Sequence, residues 1–519
     1  MENKSTKFDD NIKKWNNLPI FMILFIGLLL RLVYIQSRGI WYDDAFSILL
    51  AHRPVPDIIS GTAADTMPPV YYFLLHFWGL ISQKIWFLRL LNICLSTASI
   101  YLIYMLVRKL SNPRAAIIAG FLAAISPFQI YHAQELRMYV VLENALLIHI
   151  ILFVDIFMLK NPSSSNKLLM TGMVLSGVIA LYSHNLAIFT LVALNVYLLI
   201  KREWKNLMRL LVLQGIMGIL FIPWLVFLPR QIEKIQTAFW TPKPGLVQII
   251  QAILSTMATL PLTSIGIYIS AVLIAIVFVI LIQKIKIHVI KRAEIQLFLC
   301  LILIPPLIMF FVSWLMRPIY VPRAFIVSGL LFYALVGMVL LEPTISSKGN
   351  KEEEHPAQRL DIFAKVAIVL FIAISITSLL YQYTYRSFPR SEFDKMMKTI
   401  GDGCNENCII VHDNKLSYFP SFVYDNQSNQ VFIGDEIGSH NDTLALISQQ
   451  AMDIYAQPDI ISAVGNNNEI RFVVFTKAIS EYKEIGIAVH PKIQWLIDHY
   501  KQTDHKNIGD LEIYYFLKR

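Results

Sequence analysis

The chain has 519 residues, 56% of them hydrophobic and only 16% charged, with a mean hydropathy of +0.54. That composition excludes an ordinary soluble globular protein, which must cover its surface with charge. The formal charge of +9 does not point to nucleic acid, because Lys and Arg gather in short segments beside long apolar runs, where they set membrane orientation.

A bilayer crossing takes about 20 apolar residues, and the chain carries about eleven such runs. The predicted spans are 18–36, 86–107, 115–131, 137–159, 168–182, 185–200, 207–228, 264–283, 295–315, 323–341 and 361–383. The first follows Lys4, Lys7, Lys13 and Lys14 and partly resembles a signal peptide. Its length, its Arg31 and the lack of a small-x-small cleavage site make it a retained helix. With the N-terminus in the cytoplasm, the basic connections fall mostly on one face. They hold Arg108, Lys109 and Arg114; Lys160 and Lys167; Lys201, Arg202, Lys205 and Arg209; Lys284, Lys286, Lys291 and Arg292; and Lys348, Lys351 and Arg359. Residues 1–385 are then a transmembrane domain, and residues 386–519 an extracytoplasmic one.

The first external loop, Ser37 to Lys84, is long and apolar. After Pro68-Pro69 its Val70–Trp78 stretch is too short to span, and its aromatics suit a helix lying in the interface. The external stretch Arg230 to Thr263, with Trp240 and several prolines, also reads as interfacial. In the tail, Cys408–His412, Arg471–Phe475 and Leu511–Phe516 read as strands, and Thr443–Tyr455 and Pro491–Tyr500 as helices. A small α/β domain of roughly 130 residues follows. Cys404 and Cys408 are either a disulfide or two thiols; no further Cys or His stands at metal-finger spacing beside them.

Charge at membrane depth is costly, so acidic residues there are candidates for function. Asp43 and Asp44 directly follow the first span within Trp41-Tyr-Asp-Asp-Ala-Phe-Ser47. Adjacent carboxylates can divide the work of general base and orienting group; either can also simply cap a helix from Ala45 to Ala51. In Tyr131-His-Ala-Gln-Glu-Leu-Arg-Met-Tyr139, Glu135 and Arg137 sit in a short turn between spans. They are either an interfacial ion pair or a carboxylate beside an arginine that grips phosphate. Arg317 and Arg323 carry positive charge on the side that disfavours it, and a lipid phosphate supplies the reason; headgroup contact is the plainer one. His184, in Tyr182-Ser-His-Asn185, and His76, in the interfacial helix, are further polar candidates.

Taken in order, Trp41–Ser47, Pro68–Trp78, Tyr131–Tyr139 and Leu181–His184 resemble the polytopic C-type glycosyltransferases, in the branch of protein O-mannosyltransferases and lipid A aminoarabinose transferases. The resemblance covers residues 18–345. It implies a sugar donor on a polyprenyl phosphate and a cavity at the outer face, roofed by the first loop and the tail. It makes Asp43 the general base and Asp44 its acidic neighbour, where the family usually has Glu. Glu135 and Arg137 match the second acidic-basic element, with Arg317, Arg323 and Tyr139 on the phosphate and Tyr71, His76, Tyr131 and His184 on the cavity or acceptor. Transfer usually inverts the anomeric centre. A phosphate leaving group asks for positive charge rather than an acid, which arginines supply. No compact metal motif is present, and a divalent cofactor stays open. The acceptor is a lipid, glycan or protein of the cell envelope, and the location a plasma membrane. The rival readings are a flippase for a lipid-linked saccharide, disfavoured by the lack of paired halves, and a polysaccharide polymerase or ligase, disfavoured by the acidic pair.

Overall fold

The computed structural model describes residues 5–159, 167–237, 241–257, 264–288, 293–341, 351–384, 391–401, 404, 407–436, 439 and 441–519. Among them, seven helices are long and apolar enough to cross a membrane: Ile85–Leu110, Tyr139–Met158, Trp204–Leu225, Gly266–Ile285, Ala293–Leu315, Pro322–Leu340 and Gln358–Thr384. Pro113–Ile125 and Pro127–Ala133, bent by 57°, make an eighth span if taken as one. Asn17–Leu32, Lys167–Ser183 and Ala187–Ile200 are shorter apolar helices. Every predicted span therefore falls on a helix, and the chain is a multi-pass membrane protein. Lys160, Trp240, Lys291, Arg292 and Lys348 lie outside the described residues.

The bundle interior explains why some spans are apolar all round. Every residue from Ile326 to Leu340 is buried. A Cβ on Gly337 would stand 2.6 Å from the Ala115 carbonyl oxygen. Ala115, Ala119 and Gly337 thus let two backbones meet where lipid supplies no hydrophobic drive and packing must do so. Arg31 is buried in the same bundle, and its guanidinium donates to Ser96 Oγ at 2.9 Å, Gly27 O at 3.0 Å, Ala124 O at 3.1 Å and Ala123 O at 3.2 Å. Such donation keeps a charge tolerable at membrane depth.

The first loop forms three short helices, Tyr42–Ala51, Val55–Ala64 and Val70–Gly79. Each has 10 residues, far below a spanning length. In the tail, strands β1 (Cys408–His412), β2 (Gln430–Phe432), β3 (Glu469–Phe475), β4 (Tyr500–Ile508) and β5 (Leu511–Lys518) make one sheet in the order β2-β1-β3-β5-β4. β1 is parallel to β2 and β3, and β5 is antiparallel to β3 and β4. The helices expected at Thr443–Tyr455 and Pro491–Tyr500 are Leu446–Met452 and Pro491–His499. Cys404 and Cys408 are disulfide-bonded.

The tail packs directly on the first loop. Phe419 meets Tyr42 at 5.1 Å and Phe46 at 6.4 Å between ring centroids. Ser448 Oγ donates to Gly61 O at 3.2 Å. A Cβ on Gly61 would come within 3.2 Å of the Ala451 Cβ, so glycine permits this approach.

Candidate functional site

The site begins with two interruptions of the helical pattern. After the helix ending at Leu32, Arg89 turns the chain: its guanidinium donates to Ile35 O at 2.8 Å, Arg38 O at 2.7 Å and Gly39 O at 3.0 Å. This ties the segment before Asp43 to the helix Ile85–Leu110. The second interruption is Ser126-Pro127. Proline has no N–H to donate and disfavours helical backbone in the residue before it. Ser126 is accordingly extended, and its Oγ accepts from Gln129 N at 3.3 Å, starting the bent helix Pro127–Ala133. The bend delivers the 131–139 segment to the first loop.

Asp44 joins these two segments. Its carboxylate accepts from Trp41 N at 3.2 Å, as an N3 residue reaching back to the start of its own helix, and from Leu136 N at 2.8 Å. It is 1% exposed and does not line the cavity. The helix starts at Tyr42 rather than Ala45, with Trp41 at its N-cap, so Asp44 serves the helix start from inside the first turn rather than as the cap itself. Its neighbour on the helix, Asp43, faces a cavity of about 600 Å³.

Around Asp43 the cavity is cationic. Arg323 Nη1 lies 3.2 Å from Asp43 Oδ2, and the Arg323 guanidinium stands 5.9 Å from the Tyr139 ring centroid. Arg137 also lines the cavity. It donates to Tyr72 Oη at 3.3 Å and Ser47 Oγ at 3.4 Å, while its Nε is buried with no hydrogen-bond partner among the described residues. His184, on the same wall, is pushed down to about 3 by burial first and by Arg137 and Arg323 second. Its Nδ1 accepts from Leu186 N at 3.1 Å, so the neutral ring carries its proton on Nε2. Burial first of all holds the Tyr72 hydroxyl up, at about 12.

Of the predicted site residues, Asp43, Arg137, Tyr139, His184 and Arg323 line the cavity together. The others stand behind it or apart. Glu135 pairs with His132, Oε2 to Nδ1 at 2.6 Å, rather than with Arg137. Its carbonyl accepts from Asn92, which also donates to Arg137 O at 3.1 Å. Tyr71 donates to Asn92 Oδ1 at 3.3 Å. Tyr131 lies under the Arg38 guanidinium at 4.3 Å. His76 Nδ1 is 2.7 Å from Ala51 O, tying two loop helices together. Arg317 is half-buried and does not line the cavity.

The structure adds residues that sequence reasoning missed. Lys234 Nζ lies 3.0 Å from Asp65 Oδ1, both on the cavity. Lys415 pairs with Asp435 across the tail's side of it. Lys234 shared the signal that singled out Arg317 and Arg323, a cation on the external side. Lys415 and Asp435 had none, because the fold joins the start of the helix Lys415–Tyr424 to a separate loop after β2. Among the described residues no three His, Cys, Asp or Glu side chains converge as a metal-ligand set.

Residues 66–227 match the family model described as dolichyl-phosphate-mannose-protein mannosyltransferase. No curated protein sequence matches the chain. Among solved structures it resembles ArnT from Cupriavidus metallidurans in the apo state, at 12% identity and a TM-score of 0.62, over 97% of this chain and 98% of that one. The same protein bound to undecaprenyl phosphate superimposes with a TM-score of 0.62 at 11% identity, over 96% and 98% of the two chains. The Archaeoglobus fulgidus oligosaccharyltransferase tethered with an acceptor peptide gives a TM-score of 0.55 at 12% identity, over 97% of this chain and 74% of that one. The fold is that of the polytopic C-type glycosyltransferases.

Proposed function

We propose that the protein is a membrane glycosyltransferase that moves a sugar from a polyprenyl-phosphate carrier to a cell-envelope acceptor at the outer face of a plasma membrane, with Asp43 as general base. The observation that carries this is the Asp43 carboxylate, which faces the cavity against Arg323, with Arg137 lining the same cavity, while the cavity's other carboxylates, Asp65 and Asp435, are each taken up by a lysine. In the reaction the acceptor hydroxyl gives its proton to Asp43 as its oxygen bonds to the anomeric carbon. The bond from that carbon to the phosphate oxygen breaks, and the electron pair leaves with the polyprenyl phosphate. Arg137, with its unsatisfied buried Nε, and Arg323 take up the charge that grows on the leaving phosphate. Neutral His184 offers a proton donor without adding charge. Attack by Asp43-activated hydroxyl opposite the departing phosphate inverts the anomeric centre.

Residues 1–385 supply the donor side of this reaction and residues 386–519 the cover on the acceptor side. A disulfide between Cys404 and Cys408 supports an extracytoplasmic tail, because such bonds persist in oxidising compartments. The undecaprenyl phosphate bound to the ArnT neighbour supports a polyprenyl-phosphate donor. The test is transfer of radiolabel from polyprenyl-phosphate sugars into host membrane extract by the purified full chain. Labelled product supports the reading. Movement of the intact lipid-linked sugar across liposomes without transfer replaces it with a flippase.

A further inference from the structure

The cavity has two chemically different walls. On the helical side stand Arg137, Arg323 and Asp43. The opposite wall is the carboxyl edge of the parallel strands: Asn414 and Lys415 follow β1, Asp435 follows β2, and Lys477 follows β3. With the order β2-β1-β3, the chain leaves β1 to one side and returns on the other, so β1 and β3 flank a topological switch point. Ligands of parallel α/β sheets bind outside the carboxyl ends of strands at such a point.

The chemistry of this wall is polar but compensated. Lys415 is only 3% exposed, and its ammonium is taken up by Asp435 and by the Asn441 carbonyl. Asp435 keeps 17% exposure, and Thr443, whose N–H donates to the same Asn441 carbonyl that takes up Lys415, also lines the cavity. Lys477, at 85% exposure, sits in solvent with Glu481 at 3.5 Å. Donors and acceptors therefore face the cavity without a buried uncompensated charge, and Trp41 and Tyr42 bring aromatic rings to the seam between the walls. An anionic acceptor would call for a desolvated, uncompensated cation like Arg137 on the other wall; here Lys415 is neutralised by Asp435 and Lys477 stays in solvent beside Glu481. A row of hydroxyls, each both donor and acceptor, suits a paired Lys and Asp with a neighbouring Thr hydroxyl.

We propose that the carboxyl edge of this sheet is the acceptor subsite and takes an uncharged saccharide, presenting one of its hydroxyls to Asp43. This rests on the transferase reading of the same cavity and narrows its acceptor class.

The test probes the purified full chain against immobilised uncharged oligosaccharides, phosphorylated glycolipids and Ser/Thr peptides, with undecaprenyl phosphate binding measured on the same preparations. Wild type is expected to retain uncharged oligosaccharides. Asp435→Asn and Thr443→Val are each expected to weaken that binding about tenfold, the scale of one hydrogen bond to a partly buried partner, with undecaprenyl phosphate binding held. Thr443→Val keeps the side-chain volume and leaves the Lys415–Asp435 pair intact, so it carries the test if Asp435→Asn does not fold. Preference for peptides or phosphorylated glycolipids, or unchanged oligosaccharide binding in Thr443→Val, overturns the inference. If wild type binds oligosaccharide but not undecaprenyl phosphate, the donor assignment fails while the subsite stands.

Discussion

Arg323 and Asp43 are 280 residues apart in the chain, yet Nη1 of one lies 3.2 Å from Oδ2 of the other. Both side chains are 30% exposed, so the pair meets solvent and a substrate phosphate can compete for the guanidinium. Arg323 thereby holds the Asp43 carboxylate in place before the donor arrives and stands beside the leaving group afterwards.

Arg137 and Arg323 are expected to differ in what they tolerate. Arg137→Lys removes the planar fork and its buried Nε, and is expected to weaken undecaprenyl phosphate binding by about tenfold or more. Arg323→Lys keeps a cation beside Asp43 and is expected to lose less. Titration of undecaprenyl phosphate into the two variants checks the order; equal losses would refute it.

Asp44 is a positioning residue in this account. Asp44→Ala leaves the buried N–H of Leu136 and the half-buried N–H of Trp41 without their acceptor, a cost of about 1–3 kcal/mol for the buried group. Thermal unfolding should fall accordingly, and kcat should drop because Asp43 and Arg137 lose their common frame. Asp44→Asn retains one of the two acceptor oxygens, enough for one of the two N–H groups, and should recover part of both losses, with an unaltered pH profile. A base would not be rescued by an amide.

His184 makes stability depend on pH. An exposed His titrates near about 6.5, whereas burial, then Arg137 and Arg323, hold this one down at about 3. Between those values the unfolded chain takes up a proton that the folded site refuses. Stability from this group is therefore full above about pH 6.5 and lost as pH falls toward 3. His184→Gln is expected to flatten the decline in Tm between pH 7 and pH 5; an unchanged slope would contradict the assignment.

Gly337→Ala tests the close helix approach. The new Cβ would meet a backbone oxygen at 2.6 Å, which no side-chain rotation relieves. Overpacking of this kind costs about 1–3 kcal/mol, seen as a lower unfolding temperature in detergent. The same change at Gly215, with nothing within 4 Å, should be nearly silent.

The helical part of the fold was legible because a bilayer forces long apolar runs, and those runs sit where the helices are. Asp43, Arg137, His184 and Arg323 were legible for the converse reason, as polar residues next to apolar spans. What the sequence hid is pairing. Glu135 looked like a partner for Arg137 in the same turn, but the turn carries it back to His132, three residues earlier. Asp44 looked like a second catalytic acid, but helical spacing aims it at Leu136 N instead of the cavity. β4 escaped notice because its residues from Lys501 to Lys506 are all polar and exposed, giving no alternation to read. The Lys415–Asp435 pair joins the helix start after β1 to the loop after β2, a relation that exists only once β1 and β2 have paired.

The most direct measurement is single-turnover sugar transfer by Asp43→Asn beside undecaprenyl phosphate binding by the same preparation. The substitution keeps size and removes the proton acceptor. Transfer is expected to fall about 10²–10⁴-fold, the range of general base catalysis, with binding changed by no more than a few-fold. Transfer at the wild-type rate with binding intact would contradict Asp43 as the base.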